Sequence, residues 1–233
     1  MAKLFIIATP IGNLEDLTLR GLRILGEVDG IIAEDTRVTQ KLLEHYGIKK
    51  SLYTFHQHSL EKETEKIARL LEEGKNLALV TDAGTPGISD PGGKLIEDLL
   101  KTMPDLEIIP IPGPNAAITA LSVAGFPADH FLFLGFPPHK KGRQTFFREM
   151  TEAEPTIVFY ESTHRILKAL EQMSALENLR ERPIVVLREL TKKFETIYRG
   201  TAAEILAKLQ QEGPRGEFVV VIGPVKILKQ KAA

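Results

Sequence analysis

Four carboxylates stand where apolar runs of the sequence stop: Glu34 and Asp35 after "GIIA", Glu161 after "TIVFY", and Glu189 after "PIVVLR". A carboxylate in such a place can take a proton from a hydroxyl, provided that it lies within hydrogen-bond reach. Neither type nor spacing selects among the four, so all are candidate proton acceptors. The plainer reading makes Glu34, Arg37, Glu161 and Arg165 capping and ion-pair residues at helix starts. Thiol chemistry is excluded, because the chain has no cysteine and hence no disulfide, zinc-thiolate or Fe–S site. The six histidines are scattered without H-E-x-x-H spacing, so no metal is expected.

A second kind of chemistry is suggested by the stretch "VTDAGTPGISDPGG", Val80 to Gly93, with its four glycines, two prolines and two aspartates. It follows the apolar run "NLALV" and precedes the helical pattern "KLIEDLL". Two companions, "ATPIGN" (Ala8 to Asn13) and "PIPGPNAA" (Pro110 to Ala117), also follow apolar runs. Any one of them could be a plain tight turn. Three at the carboxyl ends of strands are better read together, because open α/β sheets bind ligands along that edge. Glycine lets main chain approach a ligand and proline holds the loop in shape. The dinucleotide fingerprint G-x-G-x-x-G is absent, and Gly93-Lys94 runs into Leu95 where a phosphate loop needs Ser or Thr. The expected ligand is therefore neutral or cationic, with Asp82 placed to attract a cation or bond an amine.

These residues need a scaffold of strands and helices in alternation. Apolar runs such as "KLFIIAT", "GIIAED", "NLALVTD" and "EFVVVIG" suit parallel strands covered on both faces. Between them lie helical patterns: Ile166, Leu167, Leu170 and Met173 recur at helical spacing, and "TAAEILAKLQQEG" has Thr201 as N-cap and Gly213 as stop. The class is α/β. The boundary between two α/β domains falls near Pro112 to Ala117, giving 1–114 with the Pro/Gly loops and 115–233. The second is expected to be mixed, because "FETIYRG" follows "PIVVLREL" too closely for a helical crossover.

Thirty basic residues balance 31 acidic ones, so a nucleic-acid partner must be met by a local patch. The stretch "HKKGRQTFFR" supplies one: Lys140, Lys141 and Arg143 are read as facing a nucleic acid, and Phe146 and Phe147 as core. Arg20, Arg37, Arg165 and Arg188 are further candidates, and the resemblance given below makes that nucleic acid RNA. No run approaches the roughly 18 apolar residues of a membrane span, so the expectation is a cytoplasmic protein without a membrane partner.

In the order "TPIGNLEDLTLR", "AEDTR", "TDAGTPGISDPG", "IPGPNAA", "FYESTHR", the chain resembles the tetrapyrrole-methylase-like superfamily, from about Lys3 to Pro224. Within it the motifs are similar to the branch that methylates the ribose 2′-hydroxyl of a cytidine in the decoding region of 16S ribosomal RNA. The resemblance implies the class III methyltransferase fold, with S-adenosylmethionine held between two α/β domains. It implies that Pro10, Ile11 and Gly12 lie at the first loop. Asp82, Ala83, Gly84 and Thr85 would line the methionine and ribose portions. Pro114, Asn115 and Ala116 would close the other side, with Phe159 and Tyr160 near the adenine. It also implies a homodimer, and the substrate is expected to be the assembled small ribosomal subunit. A tetrapyrrole methylase of the same superfamily and a non-catalytic ribosome-assembly factor are the alternatives.

Overall fold

The computed structural model describes residues 2–55 and 60–225. The chain divides into two compact units, Met1–Asn115 and Ala116–Ala233. No helix among the described residues is long and apolar enough to cross a membrane.

Unit 1 runs β1 (Lys3–Ile7), α1 (Leu19–Glu27), β2 (Gly30–Ala33), α2 (Thr36–His45), β3 (Ser51–Thr54), α3 (Leu60–Glu72), β4 (Leu77–Val80), α4 (Gly92–Thr102) and β5 (Glu107–Ile111). All five strands are parallel, in the order β3-β2-β4-β1-β5. β2 and β4 are buried at every position, which is why they read as unbroken apolar runs. Ile24 and Leu25 of α1 and Leu42 and Leu43 of α2 pack with Ile7, Ile31 and Val80 on one face. Ile67 and Leu71 of α3 and Leu95 and Leu99 of α4 pack with Leu4, Ile32 and Leu79 on the other. The connections leaving neighbouring β1 and β4 therefore go to opposite faces. That divergence opens a crevice outside their carboxyl ends.

Unit 2 runs α5 (Ala116–Ala124), β6 (Phe131–Phe133), α6 (Arg143–Glu152), β7 (Thr156–Ser162), α7 (Ile166–Ser174), α8 (Glu177–Arg180), β8 (Ile184–Arg188), β9 (Thr196–Gly200), α9 (Ala202–Glu212) and β10 (Glu217–Ile222). Its sheet, β6-β7-β10-β8-β9, is mixed: β6 joins β7 in parallel and the other pairs are antiparallel. Side chains alternate along each strand. Phe218, Val220 and Ile222 of β10 enter the core formed with α6 to α9. α5 packs against β7 and β10 through Ala117, Ala120, Leu121 and Ala124. α9 starts with a capping box in which Thr201 and Glu204 satisfy each other's main chain, and it ends at Gly213. Such a cap contributes about 1 kcal/mol.

β3 has no counterpart among the apolar runs. It is a four-residue edge strand with both end residues exposed, so it carries no continuous hydrophobic signal.

Candidate functional site

The three Pro/Gly loops leave β1, β4 and β5 beside one another in unit 1, and main chain locks them together. Thr9 N–H donates to Gly84 O at 2.9 Å and Gly84 N–H to Thr9 O at 3.1 Å, a one-residue antiparallel bridge between loops. The Thr9 hydroxyl donates to Thr81 O at 3.0 Å. On the other side the Thr85 hydroxyl donates to Pro114 O at 3.1 Å, and Ala8 N–H to Ile111 O at 3.3 Å. Gly84 sits at the junction with φ of +86°, a conformation that L side chains rarely adopt. A Cβ there would stand 3.5 Å from Ile11 Cγ2 and 3.7 Å from Pro114 O. The missing side chain thus leaves a small cradle between the loops. Pro10, Ile11, Thr85, Pro114 and Asn115 are half-buried around it, while Gly12, Asp82 and Ala83 are exposed.

The carboxylates of β2 join this edge from the other side. Glu34 Oε2 accepts the Thr81 hydroxyl at 2.7 Å, and Asp82 Oδ1 accepts Asp35 N–H at 3.0 Å. Partial burial pushes the Asp82 carboxyl above its usual range and the charges of Glu34 and Asp35 add to that, against the Asp35 N–H. Asp35 is the N-cap of α2 and holds the Arg37 guanidinium at 2.6 Å. Hydrogen bonds from the Arg37 side chain and main chain bring its pKa down to about 2. Glu34, Asp35 and Asp82 together make an acidic rim suited to a cationic ligand.

The second half of the long loop folds about its own aspartate. Asp90 accepts Gly87 N–H at 2.9 Å and Gly92 N–H at 2.7 Å, which sets the start of α4. Thr9, Thr81 and Asp90 carry the architecture of this edge, yet none was singled out from sequence. Their signal was weak: each is a small polar residue inside a Pro/Gly loop, where such residues are common.

Several expectations in unit 2 need correction. Glu161 is fully buried and is not a free base. Its Oε2 holds Arg143 at 3.0 Å, its Oε1 holds Arg165 at 2.8 Å, and Ser162 N–H also donates to it. Arg143 does not face RNA: it is 4% exposed, bonds Gln172 as well, and lies over the Phe147 ring. Arg165 is half-buried and also bonds Pro137 O, so it belongs to the same internal cluster. Glu189 accepts Glu217 N–H and the Lys192 ammonium, each within 3.0 Å. Burial acts to raise its pKa, but these partners hold it below the usual range, which suits a turn anchor better than a base. Arg188 is half-buried at the end of β8, with Nε enclosed and without a hydrogen-bond partner among the described residues, and is not a surface cation.

Phe159 is fully buried and meets Phe146 and Phe147 edge to face, so its side chain belongs to the core. Its neighbour Tyr160 turns to the opposite face, where its hydroxyl accepts Ala117 N–H at 3.2 Å beside Phe133 and Phe136. Ala116 opens α5 next to that contact. Lys140 and Lys141 are exposed in the turn before α6 and form no ion pair among the described residues. In unit 1, Arg20 is exposed and reaches Pro110 O at 3.5 Å, and Arg37 is exposed beside Asp35.

Residues 3–206 match the family model described as tetrapyrrole (corrin/porphyrin) methylases. A protein of Escherichia coli O157:H7 named ribosomal RNA small subunit methyltransferase I is 46% identical, the match covering 94% of this chain and 77% of the relative. A protein of the same name from Thermotoga maritima is 42% identical over 95% of this chain and 98% of its own length. Among solved structures, the methyltransferase CobJ superposes with a TM-score of 0.69 at 20% identity, over 96% of this chain and 95% of that one. A uroporphyrin-III C-methyltransferase of Thermus thermophilus, complexed with S-adenosyl homocysteine, gives 0.66 at 17% identity over 97% and 100%. With this fold and these relatives, the chain belongs to the tetrapyrrole (corrin/porphyrin) methylase family, beside the members named ribosomal RNA small subunit methyltransferase I.

Proposed function

We propose that the protein methylates small-subunit ribosomal RNA from S-adenosylmethionine, at the ribose 2′-hydroxyl of a cytidine in 16S RNA. The observation that carries this reading is identity of 42–46%, over nearly the whole chain, with proteins named for that RNA subunit. The loop edge of unit 1 fits the cofactor on its own evidence. The cradle at Gly84 offers main chain at close range, and Glu34, Asp35 and Asp82 put negative charge beside it. S-adenosylmethionine, when bound, supplies an electrophilic methyl on a sulfonium. Pro10 to Gly12, Asp82 to Thr85, and Pro114 with Asn115 are assigned to hold it.

The chain's own task is then to place a ribose oxygen and keep water out. Methyl transfer forms an O–C bond, breaks an S–C bond and releases the hydroxyl proton. Of the four carboxylates considered, Glu161 and Glu189 are committed to neighbours, and Asp35 is too acidic a carboxyl to be a useful base. Glu34 is our candidate acceptor. Lys140 and Lys141, with Arg20 and Arg37, are assigned to RNA phosphates. The same reading takes the assembled small subunit as substrate and a homodimer as the working form.

The test uses labelled S-adenosylmethionine and small subunits from cells lacking the enzyme. Alkali cannot cleave beside a 2′-O-methyl group, so label in an alkali-resistant dinucleotide is the expected result. Label in mononucleotides would move the reaction to a base. Absence of transfer with cofactor binding intact would favour a tetrapyrrole substrate or a non-catalytic assembly role.

A further inference from the structure

Along edge strand β3 of unit 1 runs a groove that the loop site does not use. Its volume is about 520 Å³, within the ~300–1,000 Å³ range of small-ligand clefts. Three cations from three elements converge on it: Arg37 of α2, Lys50 just before β3, and Lys66 of α3. Tyr53, Gln40 and Thr54 contribute an aromatic face, an amide and a hydroxyl, and among the described residues no acid lines it. The Tyr53 ring is held in place. Lys66 Nζ lies 5.2 Å from its centroid, and Gly30 is bare beneath it, since a Cβ there would stand 2.5 Å from Tyr53 Cε2.

Position ties the groove to the loop site. Arg37 bonds Asp35, whose N–H bonds Asp82, so one end of the groove adjoins the acidic rim. The chain as a whole carries a net charge of −1, so it attracts a polyanion only through such local patches. Cations spaced along an open groove beside an aromatic ring and hydrogen-bonding side chains are the features by which proteins track single-stranded nucleic acid.

We infer that the β3 groove is a track for single-stranded RNA, with Lys50, Lys66 and Arg37 on phosphates and Tyr53 packed against a nucleoside. The inference rests on the RNA-methylation reading and extends it to residues outside the loop site. Lysines beside an edge strand have another use, which is to discourage pairing with a second sheet. The experiment separates the two.

The full chain and its Lys50→Gln/Lys66→Gln variant are titrated with a labelled single-stranded oligoribonucleotide at several salt concentrations. The log–log salt slope is expected to become shallower by about 0.7 for each lysine removed. With small subunits, the loss is expected in KM, about tenfold at moderate salt, while S-adenosylhomocysteine affinity holds. Lys50→Arg/Lys66→Arg restores the slope. An unchanged slope and KM overturn the inference, as does self-association of the Gln variant with RNA affinity intact. If the wild-type chain transfers no methyl to RNA, the functional reading falls, and the oligoribonucleotide slope still decides the groove.

Discussion

The Arg143 guanidinium meets the Glu161 carboxylate at 3.0 Å with 5% and 0% of the two side chains exposed. Arg165 closes the second oxygen, so a carboxylate that looks catalytic from its place at a strand end serves to fasten α6 and α7 to β7. Removing one partner of a buried pair leaves charge uncompensated, and Arg143→Ala should cost about 3–5 kcal/mol. Denaturant unfolding measures it. A stable Arg143→Ala protein that had lost RNA affinity would return Arg143 to the RNA surface.

Lys140 and Lys141 should behave in the opposite way. Lys140→Glu/Lys141→Glu is expected to change stability by no more than about 0.5 kcal/mol. It should raise KM for small subunits and make the loss of binding with salt shallower, because fewer phosphate contacts release fewer counterions. Calorimetry with S-adenosylhomocysteine should detect no change. An unchanged KM would mean that the turn is not an RNA contact, and equal loss of both ligands would point to misfolding.

Gly84→Ala should lose cofactor affinity beyond what backbone strain explains. Holding an L residue at φ of +86° costs on the order of 1–2 kcal/mol, and the new methyl also enters the cradle. Gly74 supplies the control: it has the same φ of +86° with nothing within 4 Å. Gly74→Ala should lower Tm similarly and bind S-adenosylhomocysteine like the wild type. If the two variants bind alike, the cradle is not part of the cofactor site.

Asp35 should titrate near 2, below its unperturbed 3.8, because Arg37 hydrogen-bonds it. A depressed carboxylate stabilises the fold fully above the unfolded value. That contribution is lost as pH falls from about 3.8 toward 2. Carboxyl NMR titration should find the midpoint near 2 in the wild type and well above it in Arg37→Gln. A midpoint that ignores the substitution would assign the shift to the α2 N-terminus instead.

Arg182 is fully buried in unit 2 and bonds four carbonyls, those of Met150, Ala153, Pro155 and Gly223. Burial lowers its pKa to about 10, which keeps it charged at neutrality. Arg182→Met fills much of the volume but strands the carbonyls, each costing about 1–3 kcal/mol if left unsatisfied. Thermal unfolding should register a large drop. Little change would mean that water replaces the guanidinium.

What the sequence determined by itself is what depends on neighbours along the chain. The alternation of apolar runs and helical spacing sets the α/β class, and "FETIYRG" close behind "PIVVLREL" sets the antiparallel β8–β9 pair. Thr201, Glu204 and Gly213 bound α9 because capping is a contact within one turn. The three Pro/Gly loops were legible for the same reason, since turn chemistry is local. Tertiary structure decided which side chains share burial. "HKKGRQTFFR" reads as one basic stretch, yet the helical period turns Arg143 and Phe147 inward together and leaves Arg148 outside, while Lys140 and Lys141 lie exposed in the turn before the helix. The carboxylate that makes Arg143 tolerable in the interior comes from β7, 18 residues later. In the same way, Phe159 and Tyr160 are neighbours in sequence but lie on opposite faces of the sheet. β3 and its groove exist only where α2, β3 and α3 come together. Periods and caps act over a few residues, whereas the cost of burying a charge is decided by partners that only the fold brings near.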